Sequence, residues 1–184
     1  SVAQPAIIRL LYKVIGIFMT QYHVYGVGNA LVDLEYEIPE ALLSELNVDK
    51  GLMTLIEEDR HHELLDKLSE FVSRPCGGGS AANTITAAAQ LGASAYYSCK
   101  VANDTTGAYF LDDLAANGVK TNLKTESLDA GHTGKCIVLV TPDAERSMNT
   151  FLGITRQISV VELDEAAIAD SEYVYIEGYL VPEI

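Results

Sequence analysis

Three clusters of glycine, amide and charged residues are the places where this sequence could do chemistry. The first is Gly26-Val27-Gly28-Asn29-Ala30-Leu31-Val32-Asp33. Glycines where a strand ends let another group come close to the backbone, and Asp33 lies just beyond that end. In an open α/β sheet this is the ligand crevice. A tight turn with a surface carboxylate is the competing reading. A dinucleotide fingerprint is excluded, because its third glycine is missing and Pro39 follows soon after. The second cluster is Gly77-Gly78-Gly79-Ser80-Ala81-Ala82-Asn83. Glycines opening a helix leave unpaired N–H groups and a positive dipole end facing the crevice. Asn83, on the first turn, can both donate to and accept from a hydroxyl-rich ligand. A plain strand-to-helix turn competes here.

The third cluster joins Thr133-Gly134-Lys135-Cys136 to Asp143-Ala144-Glu145-Arg146-Ser147-Met148-Asn149. Its Gly-Lys pair imitates a phosphate-binding loop, but Asp129 stands where the first glycine is required and Cys136 replaces Ser or Thr. Arg146 follows a hairpin turn, where a fixed positive charge would reach a phosphate. Taken alone, it reads as a surface arginine.

The elements that must position these clusters alternate. A short apolar run over 23–27 ends in glycine, as a buried first strand should. Helical spacing follows over 40–45 and 57–72, the latter with Leu64, Leu65, Leu68, Phe71 and Val72 on one side. An alanine-rich helix runs from Ser80 and stops at Gly92. A strand over 95–101 precedes a helix over 107–117 closed by Gly118. Two strand-like runs flank Pro142-Asp143, a hairpin signal. A short helix over 163–169 and an apolar strand over 171–181 complete the chain. The alternation predicts an α/β layer fold with a parallel sheet. The surplus strands, about 31–38, 51–56, 133–141 and 145–152, are expected to form a small second sheet projecting from that body.

Composition narrows the function classes. The chain has 184 residues, 48% of them hydrophobic, enough for a globular core. Its net charge of −14 argues against reading a nucleic-acid backbone, which needs a basic stripe. Cys76, Cys99 and Cys136 are far apart and form no CxxC pair, and the histidines show no ligand spacing. Neither a zinc site nor a disulfide framework is expected, and a reduced, cytoplasmic compartment fits best. Residues 6–18 are apolar but hold Arg9 and Lys13, too short and too charged a stretch to span a bilayer. Residues 1–18 are expected to be an extension ahead of a domain over 19–184, with Met19 reading like a natural start.

Together, in this order and at these distances, the segments YGVGNALVD (25–33), GGGSAAN (77–83), TGKCIVLVTPDAERSMNT (133–150) and YVYIEGYLV (173–181) resemble the PfkB, or ribokinase-like, kinase family, and most of all its adenosine kinase branch. The similarity runs from about Tyr22 to the end of the chain. It implies a three-layer α/β body with a projecting β-sheet lid, which accounts for the surplus strands. It also implies roles. Asp33, Gly78, Gly79 and Asn83 match positions that bind sugar hydroxyls, with Asn29 beside them. Arg146 matches the residue that meets the transferring phosphate. Thr54, Ile56, Cys136, Met148 and Thr150 match lid positions around the rest of the acceptor.

The implied reaction is ATP-dependent phosphorylation of a hydroxymethyl group on a nucleoside or sugar, with ATP and Mg2+ bound mostly by residues outside this chain. The family's Gly-Ala-Gly-Asp motif, which supplies the base, does not occur, and no asparagine is followed three residues later by glutamate. The chain is therefore expected to hold the acceptor half of a kinase truncated on its C-terminal side, and to be inactive alone. A non-catalytic acceptor-binding module and a ribokinase- or fructokinase-type sugar kinase are the alternatives. No nucleic-acid or membrane partner is expected. Self-association through the lid or the cut sheet edge is.

Overall fold

The computed structural model describes residues 20–181. The expected extension over 1–18 lies outside the described residues. Two sheets organise the rest. The first is parallel, in the order β5-β1-β8, from β1 (Tyr22–Val27), β5 (Ala95–Ser98) and β8 (Ser171–Ile176). The second has five strands in the order β3-β7-β6-β2-β4: β2 (Leu31–Glu37), β3 (Met53–Leu55), β4 (Arg74–Gly78), β6 (Gly134–Val140) and β7 (Arg146–Phe151). It is mixed: β2 runs parallel to β6 and antiparallel to β4, and β6 and β7 form the hairpin.

Each sheet is held by what packs on it. Helix α3 (Ser80–Gln90) lies across β1 and β5, burying Ala81, Ala82 and Ile85 against Tyr97. It sits this close because residue 26 is glycine: a Cβ there would fall 2.7 Å from Ile85 Cδ1 and 2.9 Å from Tyr97 Cδ2. Ile85 is fully buried, so its truncation to alanine would cost about 2–5 kcal/mol. Helix α4 (Thr105–Ala116) adds Phe110 and Leu114 to the same core. Its first turn is capped by Asp104, whose carboxylate accepts from Gly107 N at 2.7 Å. The short helix α5 (Glu165–Ala169) covers the opposite face, over Tyr25 and Tyr96.

The second sheet has its own core. Helices α1 (Glu40–Glu45) and α2 (Glu58–Lys67) place Leu43 and Leu64 against Tyr36, Ile137 and Leu139. Strand β4 was not legible as a strand in the sequence. Arg74-Pro75-Cys76-Gly77-Gly78 has neither β-branched residues nor alternation, and Pro75 cannot donate to a ladder. It pairs with β2 because it lies at the sheet's edge, where a proline does no harm. The helix expected over 57–72 is shorter than its apolar spacing suggested, and the last strand gives way after Ile176 to a single 3-10 turn at Gly178–Leu180. β8 pairs among the described residues with β1 alone, and Tyr173, Val174, Tyr175 and Ile176 are exposed along it.

Candidate active site

The chain passes between the two sheets at Gly28–Ala30 and again at Gly79, and Asn29, Asp33, Gly78, Gly79 and Asn83 lie on the segments that lead into and out of these crossings. Asn29 follows β1 directly and is buried. Asp33 is half-buried on β2, paired in register with Cys76 on one side and Cys136 on the other. Gly78 ends β4 against it: a Cβ at Gly78 would fall 2.5 Å from Asp33 Cγ. Gly79, the residue before α3, has φ 95°, a left-handed conformation that favours glycine. A Cβ there would also meet Asn29 O at 2.7 Å. Asn83 is exposed on the first turn of α3, its backbone N–H donating to Gly79 O at 2.9 Å.

Strand alternation sorts the remaining residues. Asp33, Cys136 and Thr150 share one row across β2, β6 and β7, and so one face of the sheet. Thr150 Oγ1 lies 3.4 Å from the buried Cys136 Sγ, to which it donates. Met148 and Arg146 follow on alternate positions of β7, on that same face. Thr54 takes the other alternation of β3, and Ile56 packs against the second sheet's core, so neither is brought to the face that carries Asp33.

Charge concentrates around the carboxylate. Burial pushes the Asp33 pKa up; the Arg146 guanidinium pulls it back, and Glu35 raises it further. Arg146 is exposed at the start of β7, with Nη2 3.6 Å from Glu35 Oε2. Burial also holds the Cys136 thiol up at about 11, so this cysteine is packing and not a nucleophile at neutral pH. The arrangement thus offers a half-buried carboxylate acceptor, an exposed amide, close-approach backbone and a nearby cation. Such a set suits the binding of hydroxyl groups beside an anion.

Comparison with known proteins decides the family. The model of the pfkB family carbohydrate kinases matches residues 48–184. The chain belongs to the pfkB family. It is similar to adenosine kinase of Schizophyllum commune, 29% identical over 175 residues that cover 89% of this chain and 48% of that protein. Among solved structures it is similar to adenosine kinase from Sinorhizobium meliloti, with a TM-score of 0.79 and 37% identity over 87% of this chain and 48% of that one. A probable sugar kinase protein from Rhizobium etli gives a TM-score of 0.80 and 35% identity over 88% and 48%. The fold is therefore the ribokinase-like α/β fold, and this pfkB chain spans about half the length of the relatives it matches.

One residue beside the predicted ones had no role assigned from sequence. Glu177, just past β8, is buried beside Asn29. Its Oε1 accepts from Asn29 N at 2.5 Å and Asn29 Nδ2 at 2.6 Å, and its Oε2 accepts from Ser80 Oγ at 2.9 Å and Ala81 N at 3.0 Å. The signal available was a lone carboxylate ending the apolar run 173–176. Such a residue reads as a solvated tip until the fold brings two other segments onto it.

Proposed function

We propose that this chain supplies the acceptor-binding part of an ATP-dependent kinase that phosphorylates the hydroxymethyl group of a nucleoside, adenosine-like in kind. The observation that carries the reading is the convergence of Asp33, Gly78, Gly79 and Asn29 where the two sheets meet, with the charge of Arg146 felt at the same carboxylate. In this reading Asp33 accepts hydrogen bonds from acceptor hydroxyls and Asn83 exchanges one of each kind. Gly78 and Gly79 leave the backbone bare, so that the sugar lies against it. Cys136, Met148 and Thr150 face the remainder of the acceptor; Thr54 and Ile56, on the sheet's other face, take no part. Fixing the acceptor this way aligns its oxygen with the γ-phosphate, which is catalysis by positioning. Arg146 offsets the charge that spreads over the transferred group. Magnesium would arrive with the nucleotide. Among the described residues no cluster of three His, Cys, Asp or Glu fits a metal ion.

A sugar acceptor is the second reading, favoured by the likeness to the Rhizobium etli protein. A binding module without catalysis is the third. ATP-dependent phosphorylation by the full-length kinase, compared across adenosine, inosine, guanosine, ribose and fructose, tests all three. Highest kcat/KM with adenosine is expected. Preference for ribose or fructose replaces the nucleoside reading. Acceptor binding with no phosphorylation by the full-length protein leaves the binding module. The exposed side chains of β8 further support self-association through that edge or through the second sheet, which light scattering on the 184-residue chain measures. As to compartment, no helix among the described residues is long and apolar enough to cross a membrane. A cytoplasmic location is our reading from the cysteine pattern.

A further inference from the structure

Glu177 is 4% exposed, an unusual place for a carboxylate that pairs with no cation. Among the described residues its partners are all neutral donors, two on each oxygen. A carboxylate has about four lone-pair sites, so these bonds use its whole capacity. No site is left over for a ligand hydroxyl. The four donors belong to two segments distant in sequence, the β1–β2 crossing at Asn29 and the first turn of α3 at Ser80 and Ala81. Those segments lead to Asp33 and to Asn83.

The surroundings keep the carboxylate where it is. A Cβ at Gly28 would fall 2.8 Å from Glu177 Cδ, so the backbone of residue 28 lies directly on it. Glu177 N donates to Val27 O at 3.3 Å, continuing the β1–β8 ladder by one bond. From the other side, the Tyr97 hydroxyl donates to Asn29 O at 2.9 Å. Asn29 is thereby held through its N–H, its side-chain amide and its carbonyl.

We propose that Glu177 is a positioning residue for the acceptor site. Its carboxylate ties the β1–β2 crossing to the start of α3, and so sets the distance between Asp33 and Asn83. The inference rests on the reading of these residues as the acceptor site. It assigns Glu177 no contact with substrate. A tie of this kind acts before any ligand arrives, whereas a ligand contact acts only afterwards, and this separates the two experimentally.

The test compares wild type with Glu177→Ala and Glu177→Gln. Gln keeps the shape and one acceptor oxygen but turns an N–H2 donor toward existing donors, so it should retain only part of the tie. The first measurement is amide hydrogen exchange in the 184-residue chain without ligand. The Asn29 and Ala81 amides should exchange about 100-fold faster in the Ala variant and about tenfold faster in the Gln variant, while Tyr25 in β1 keeps its protection. The second is steady-state kinetics of the full-length kinase. The acceptor KM should rise about 30-fold and the ATP KM by less than about threefold, because only the acceptor segments lose their reference point. Unchanged exchange at Asn29 and Ala81, or acceptor and ATP KM rising together, overturns the proposal. If the Ala variant does not fold, the Gln variant carries both measurements. A wild-type kinase that uses no nucleoside or sugar refutes the acceptor-site reading instead, and the exchange data still decide whether the tie exists.

Discussion

Replacing His61 with leucine should make this protein more stable and less sensitive to acid. His61 lies on α2 with its ring 5.2 Å from that of Phe151, is 1% exposed, and neither Nδ1 nor Nε2 has a hydrogen-bond partner. A buried polar group without a partner costs about 1–3 kcal/mol. Leucine is of similar size and removes that cost, so a gain of about 1–2 kcal/mol is expected, or about 3–6 °C in Tm for a chain of this length. The acid effect has a definite sign. Burial first, then the positive charges of Lys135, His62 and His132, hold the His61 pKa down at about 4 from its ordinary 6.5. Above pH 6.5 folded and unfolded forms are both neutral, and no dependence arises. Between 6.5 and 4 the unfolded chain takes up a proton that the folded one refuses, so stability falls as pH falls. That gap corresponds to about 3 kcal/mol at most, of which about 2 kcal/mol is lost by pH 5, still above the folded value. Thermal melts of the 184-residue chain and its His61→Leu variant at about pH 7 and pH 5 check both parts. The wild type should lose about 4–8 °C more than the variant on acidification. Parallel losses, or a variant that melts lower at pH 7, would refute the reasoning.

Other perturbations bear on the site. Asp33→Ala in the full-length kinase should lower acceptor kcat/KM by about two decades or more, since hydroxyls left unpaired cost about 1–3 kcal/mol each. Because burial raises the Asp33 pKa, the acid limb of kcat/KM should lie above the ordinary carboxylate value of 3.8 and vanish in Asp33→Asn. Arg146→Ala should reduce kcat by at least about tenfold while acceptor affinity stays within a few-fold, measured by calorimetry beside turnover; a pure binding defect would remove its phosphate role. Ala144→Gly should stabilise the β6–β7 turn by about 0.5–1 kcal/mol, seen as a higher Tm, because Ala144 holds φ 65° where a Cβ is unfavourable.

The parts of the molecule legible in the sequence were those whose signal is local. β1 announced itself as an apolar run ending in glycine, α3 as an alanine-rich stretch between Gly79 and Gly92, and the β6–β7 hairpin through Pro142-Asp143. Gly78 and Gly79 stood out because close backbone approach requires glycine, while the roles proposed for Asp33 and Asn83 came from the family likeness. What escaped was decided by contacts between distant segments. β4 is a strand only because β2 offers an edge to a proline-containing stretch of low β propensity. Glu177 matters because Asn29 and Ser80 fold onto it. Nothing local in the sequence marks His61 for burial, and the packing of α2 against β7 buries it. Thr54 and Ile56 were drawn toward the site by likeness alone, without regard to the alternation that turns them from it.

The order of strands along the chain bears on how the protein is made. The five-stranded sheet is drawn wholly from residues 31–151, and its last strand, β7, pairs with its sequence neighbour β6. Of the described strands β1 is made before the others, yet Tyr22 must wait for Ser171 before its ladder to β8 can form. During synthesis the inserted sheet can therefore close on itself while β1 still presents one open side. Pairings this remote in sequence are slow to find and stay exposed longest. Early losses to aggregation should thus begin at Tyr25 and Val27, buried in the finished fold but unshielded until β8 arrives, with the half-buried Val24 beside them, and chaperones that bind short apolar strands should meet this protein there.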